Sequence, residues 1–172
     1  MTTANKITIF RVVLIPVFLV LAYTGHMRWA LVVFVLASLS DMLDGYIARH
    51  YNQITDFGKF MDPLADKVLV MAAMCFFVEA GRMPGWVLAI VLLREFAVSG
   101  MRLVAVEQGR VIAAAWSGKV KTTCTMVGLC FMLVFGQYAW INLFVIAVIL
   151  ITTIWSGAEY FIKNMDVFKD AD

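Results

Sequence analysis

Polar residues along the chain come in short breaks, and the apolar stretches between them are about 20 residues long, enough to cross a hydrocarbon core as helix. Six such stretches stand out, over about 7–23, 29–48, 62–80, 84–106, 119–135 and 138–162. The pattern predicts an all-α integral membrane protein with six transmembrane helices in one domain. Asn5 or Thr8 can cap the first helix, and Gly25, Gly81, Gly109 and Gly136 punctuate the ends of later ones. The first apolar run lacks a small-residue cleavage site and leads into further spans. It is therefore expected to stay as a span rather than be removed as a leader. No repeat, low-complexity stretch or long linker divides the chain.

Composition agrees with this reading. Hydrophobic residues make up 63% of the chain, against about 45–50% in a soluble domain. A net charge of +2 argues against nucleic acid as a partner. Cys75, Cys124 and Cys130 lie in apolar runs without metal-ligand spacing, so they are expected to be buried, reduced thiols. Orientation follows from the 14 basic residues. With the N-terminus inside, Lys6, Arg11, Arg49, Lys59, Lys67, Arg94, Arg102, Arg110, Lys119, Lys121, Lys163 and Lys169 fall on or toward the inner side. Arg28 and Arg82 fall outside. The excess of inner cations places both termini in the cytoplasm.

Against this background four aspartates stand out, Asp41, Asp44, Asp62 and Asp66, in the pattern D-x2-D-G-x2-A-R-x8-G-x3-D-x3-D. A carboxylate near a bilayer core costs roughly 2.5–3.5 kcal/mol on insertion scales. Asp41 and Asp44 are three apart, and Asp62 and Asp66 four apart, so each pair shares a helix face. Gly45 and Ala48 extend the first face with small residues, leaving room for a ligand or a close helix. The segment from Arg49 to Met61 is short and polar, and Gly58 is available for a tight bend. A helix–loop–helix of this kind can bring the two pairs together at the cytoplasmic end. Four carboxylates balance two divalent cations. Oxygen ligands without cysteine or histidine favour Mg²⁺, Mn²⁺ or Ca²⁺ over zinc. His26 and His50 do not join the pattern.

Paired hard cations suit chemistry on phosphate. Asp66 could then take a proton from an attacking hydroxyl, with Arg49 beside the phosphates. A plainer role exists for any single aspartate: Asp62-Pro63 reads as a helix cap followed by proline in the first turn. A divalent-cation transporter is a rival of another class, since acids in a membrane also line ion paths. It would need carboxylates spread through the bilayer depth, whereas these four gather toward one side.

The string from Asp41 to Asp66 resembles the signature of the CDP-alcohol phosphatidyltransferase family at every signature position. The N-terminal N-x2-T-x2-R, Asn5, Thr8 and Arg11, is similar to the first-helix pattern lining that family's nucleotide pocket. The resemblance implies a six-helix membrane enzyme that moves a phosphatidyl group from CDP-diacylglycerol, or a related CDP-alcohol, to an acceptor hydroxyl and releases CMP. It implies metal binding by Asp41, Asp44 and Asp62, with Asp66 as base and second-metal neighbour. Gly45, Arg49 and Gly58 would lie at the cytidine diphosphate together with Asn5 and Thr8. The cofactors would be two divalent cations, Mg²⁺ or Mn²⁺. A homodimer is usual in the family.

The acceptor is read from the fourth span onward. Arg94 and Arg102 are eight residues apart, about 80° net around a helix, so both can look toward one interior. Arg94 lies deep in an apolar run, where a cation needs an anionic partner or a wet cavity. Arg110, Lys119 and Lys121 follow, so five cations ring the expected acceptor entrance. An acceptor bearing its own phosphate suits them better than a neutral alcohol. The plainer reading of the outer members of this set is positive-inside signalling and attraction to anionic lipid. Glu95, between the arginines, has no evident partner in the sequence. Residues from about 5 to 125 are similar to the bacterial branch of the family whose acceptor is sn-glycerol 3-phosphate. That branch works in the cell (inner) membrane, multi-pass, with its active site in the cytoplasm. Branches using phosphatidylglycerol, serine or inositol phosphate remain alternatives.

Overall fold

The computed structural model describes the backbone of residues 3–50, 56–110, 112–113 and 115–165. It describes the side chains of residues 9–40, 64–65, 67–110, 112–113 and 115–165. The order of elements is α1 (Thr3–Tyr23), α2 (Met27–His50), α3 (Asp56–Glu79), α4 (Gly85–Glu107), α5 (Trp116–Phe135) and α6 (Ala139–Lys163). Among the described residues every regular element is a helix. Each of the six expected stretches became one of them.

Three of the connections stop in the same way. Gly25, Gly81 and Gly109 adopt φ of 81°, 68° and 73°, a region open to glycine at little cost. At each, paired backbone bonds close the helix end, as where Gly25 N–H reaches Ala22 at 3.1 Å and His26 N–H reaches Leu21 at 2.9 Å. Gly136 differs. Its φ is −65°, and what excludes a side chain there is the Met132 carbonyl oxygen, 2.2 Å from where a Cβ would stand. The Gly136 carbonyl accepts a bond from Asn142 Nδ2 at 2.9 Å, which fixes the short α5–α6 turn.

Helices α1, α2 and α3 pack on one another, α5 lies along α6 and α2, and α4 leans on α6 and α3. Phe18, Phe34, Leu69, Met74, Phe77, Val87, Leu129 and Ile149 build the common core. The Phe18 and Phe34 rings stand 5.6 Å apart, within the range of favourable aromatic pairs. Gly128 sets the closeness of α5 to α6, since an added Cβ would come within 2.8 Å of Val145 Cγ1. Val145 is β-branched and stiff. Gly128→Ala is therefore expected to cost about 1–3 kcal/mol in overpacking. Val145→Ala in the same chain should recover part of it. Thermal denaturation in detergent reads both, and an unchanged melting point for Gly128→Ala would mean that the two helices are free to part.

The surface of the bundle is apolar as well as its core, unlike that of a water-soluble bundle. Leu93, Phe96, Trp140, Leu143, Phe144 and Ile162 are exposed, while Arg11, Lys121, Thr125, Asn142, Thr153 and Ser156 are buried. Among the described residues, α5 and α6 are long and apolar enough to cross a membrane, and Ile9–Tyr23 and Met27–Ser40 are shorter apolar segments. Helix α4 is as long, but Arg94, Glu95 and Arg102 interrupt its apolar run.

Two expectations about the acidic segment change. Helix α3 opens at Asp56, well before residue 62. Gly58 is thus inside a helix rather than at a bend. Asp62 falls well past the first turn, so it does not cap α3. A start on an acidic residue complements the positive end of the helix dipole.

Candidate functional site

Asp41 and Asp44 fall in the last turns of α2, and Asp62 and Asp66 in the first half of α3. Their side chains lie outside the described residues, as do those of Asn5, Thr8 and Arg49; Gly45 and Gly58 are known only as helical backbone. Among the described residues no three acids, histidines or cysteines gather in a way that could hold a metal. The immediate neighbours of the aspartates are described, and they are informative. Ser40 precedes Asp41 and accepts a bond from Arg11 Nε at 3.4 Å. Arg11 is fully buried, so a guanidinium from α1 is held beside the start of the acidic motif. On the other helix Lys67 follows Asp66. Its Nζ donates to Ser99 Oγ on α4 and lies 3.8 Å from Glu95 Oε2.

Glu95 is the centre of the polar interior. Its Oε1 accepts from Lys121 Nζ at 2.6 Å and from Arg94 Nη1 at 2.9 Å. One carboxylate therefore meets three cations, from α3, α4 and α5. The side chains of Arg94 and Glu95 are 12% exposed and that of Lys121 5%, so water screens them little. Arg94 also donates through Nη2 to Ser156 Oγ on α6, while its buried Nε has no hydrogen-bond partner. Space for the guanidinium comes from two glycines: a Cβ on Gly118 would stand 3.5 Å from Arg94 Nη2, and one on Gly157 would stand 3.3 Å from Arg94 Cγ.

This geometry sorts the five cations expected at the acceptor entrance. Arg94 and Lys121 meet on Glu95. Arg102 turns instead to α6, where its Nε donates to Tyr160 Oη at 2.8 Å and its guanidinium carbon lies 5.4 Å from the ring centroid. Arg110 sits on the turn after α4, its N–H bonded to the Ala105 carbonyl at 2.8 Å. Lys119 is exposed. Glu95, Lys67, Ser99 and Ser156 join the cluster without having been expected there. The one signal available for Glu95 was an acid deep in an apolar run beside an arginine, which a buried ion pair explains. The cluster carries two positive charges more than negative ones and keeps donors to spare. Such a place suits a doubly charged oxyanion, and arginine's fork is well matched to phosphate.

Comparison with known proteins agrees in kind. The chain is 38% identical over 192 residues to a CDP-diacylglycerol–glycerol-3-phosphate 3-phosphatidyltransferase of Bacillus subtilis (strain 168), covering 98% of this chain and 97% of that protein. It is 41% identical over 167 residues to the proteins of that name from Escherichia coli (strain K12) and Salmonella typhimurium (strain LT2), covering 90% of each chain. Residues 1–155 match the model of the CDP-alcohol phosphatidyltransferase family, and the chain belongs to that family.

Proposed function

We propose that the protein transfers the phosphatidyl group of CDP-diacylglycerol to sn-glycerol 3-phosphate, giving phosphatidylglycerophosphate and CMP. The observation that carries this reading is the extent of similarity: relatives named for that reaction align with 90–98% of the chain. The buried surplus of cations at Arg94, Lys121 and Lys67 supports an acceptor that brings its own phosphate.

In this reading the six helices cross the bacterial inner membrane with both termini in the cytoplasm, and two copies form a homodimer. The apolar surface of the bundle supports insertion. Donor tails enter sideways from lipid. Asp41, Asp44, Asp62 and Asp66 would hold two divalent cations, and an oxygen-only donor set fits Mg²⁺ or Mn²⁺. When bound, such ions offset the diphosphate charge and favour departure of the nucleotide. Asn5, Thr8, Gly45, Arg49 and Gly58 form the surroundings of the cytidine diphosphate. Arg94 and Lys121 grip the acceptor phosphate, and Lys67 joins them. Arg102, Arg110 and Lys119 draw the anionic acceptor toward this end of the bundle.

The acceptor's free primary hydroxyl then faces Asp66, whose carboxylate takes its proton. The oxygen attacks the phosphorus next to the lipid, the bond from that phosphorus to CMP breaks, and CMP leaves with the electron pair. Because Lys67 is the next residue after Asp66 and reaches Ser99 and Glu95, one helix ties the base to the acceptor's cations. Alignment of two bound substrates is enough to drive the transfer, without a covalent enzyme intermediate.

The test is CMP release from labelled CDP-diacylglycerol with each candidate acceptor. Glycerol 3-phosphate is expected to support turnover, and chelator to reduce release to background. Faster turnover with phosphatidylglycerol, serine or inositol phosphate would assign a sibling activity. No CMP with any acceptor would end the enzymatic reading.

A further inference from the structure

Two cations, Arg28 and Arg82, take no part in the polar cluster around Glu95. Arg28 and Arg82 are the basic residues that fall on the outer side in a chain whose other cations favour the inner one. They are far apart in sequence, at the start of α2 and in the α3–α4 turn, yet they line one cavity of about 390 Å³. Along α2, Arg28 is 13 residues from Asp41, about 20 Å at helical rise, so the cavity is remote from the acidic motif. The guanidiniums are not spent on each other's neighbours. Among the described residues neither makes an ion pair or a side-chain hydrogen bond. Glu79, the nearby acid at the end of α3, accepts from Tyr23 Oη instead. His26 is engaged by Thr24 Oγ1 at 3.0 Å.

The walls complete the description. Leu31, Leu133 and Val134 supply apolar surface, and Gln137 adds an amide. Two uncompensated guanidiniums over an apolar floor favour an oxyanion with an organic portion. We infer that this cavity is a second anion-binding site, at the end of the bundle opposite the catalytic one, which takes a phosphate-bearing ligand between Arg28 and Arg82. Each guanidinium donates to phosphate oxygens, and the leucine side receives what is esterified to them. Phosphate chemistry of this kind is offered by the headgroup of an anionic phospholipid and by free phosphate. The apolar floor gives the lipid the larger contact.

Binding rather than activity reads the proposal. Purified protein in a neutral detergent is titrated calorimetrically with dihexanoyl phosphatidylglycerol and with inorganic phosphate. Dihexanoylglycerol, which has the same tails and no phosphate, serves as the uncharged control. Arg28→Gln/Arg82→Gln is compared with the unmodified chain, and an unchanged melting point without ligand checks its fold. Sites elsewhere contribute equally to both proteins, so the difference belongs to the cavity. Loss of two charge-assisted contacts is expected to weaken the anionic lipid at least about tenfold. If phosphate loses affinity to the same degree, the site takes the free anion; if only the lipid does, it takes the headgroup. Superimposable isotherms for both anions, or an equal loss for dihexanoylglycerol, would overturn the site. Should the double variant melt early, Arg28→Gln alone, at an exposed position, carries the same comparison with the same readings.

Discussion

Asp66→Asn is expected to remove turnover while leaving donor binding nearly intact. An asparagine at this place keeps an oxygen and nearly the same volume, but it cannot accept the proton of the acceptor hydroxyl. General-base catalysis contributes about 10²–10⁴ in rate, so CMP release should fall by that factor. Three aspartates remain to hold the cations, and the surroundings of the nucleotide are untouched. The affinity for CDP in the presence of magnesium, followed by calorimetry, should therefore change by no more than several-fold. Position helps to isolate the effect, because Asp66 lies inside α3 and not at its end. Asparagine is no worse a helix residue than aspartate there. A variant that lost CDP binding together with turnover would make Asp66 primarily a metal ligand. One that kept full turnover would hand the base role to another group.

The helices were legible because their apolar runs are long and their ends are marked by glycine. Gly25, Gly81 and Gly109 stop helices as expected, each by a left-handed residue and paired backbone bonds. The start of α3 was not legible. Its first turns do carry Phe57, Phe60, Met61 and Leu64 at helical spacing, but Asp56, Gly58, Lys59 and Asp62 between them break the continuous apolar run by which the spans are read. Arg28 and Arg82 were visible as exceptions to the charge bias, but only folding brings the α3–α4 turn beside the start of α2.

The candidate site shows the same division. The four aspartates announce themselves, since clustered acids in an apolar chain demand a reason. Glu95 did not, for a geometric cause. Residues adjacent in a helix point about 100° apart, and spacing rules pair i with i+3 or i+4. Yet Arg94 is long enough to curl back onto Glu95, and Lys121 arrives from a helix 26 residues further along the chain. The choice among five cations was likewise beyond sequence: the same residue type faces Glu95 at Arg94 and the Tyr160 ring at Arg102. Helix packing decides between them, through the room left by Gly118 and Gly157.

Glu95→Gln should be among the most damaging single substitutions in the described part of the bundle. It removes the one carboxylate among the described residues that faces Arg94, Lys121 and Lys67, and leaves Arg94 and Lys121 uncompensated in a largely water-free interior. Removing one partner of a buried ion pair costs about 3–5 kcal/mol, because the remaining charge stays buried without compensation. Lys67, a third exposed and 3.8 Å away, adds little to that figure. Thermal denaturation in detergent should show the loss directly. A second substitution separates charge from packing. Lys121→Met keeps most of the side-chain volume and removes the cation nearest Glu95, so Glu95→Gln/Lys121→Met should melt higher than Glu95→Gln alone. If charge balance were irrelevant, the two losses would simply add. The double variant is nonetheless expected to bind glycerol 3-phosphate poorly, since it has surrendered one of the cations assigned to the acceptor. Recovered stability with unrecovered acceptor affinity would distinguish the two duties of this cluster, holding α3, α4, α5 and α6 together and receiving a phosphate. Additive destabilisation would show that Glu95 does not act through Lys121.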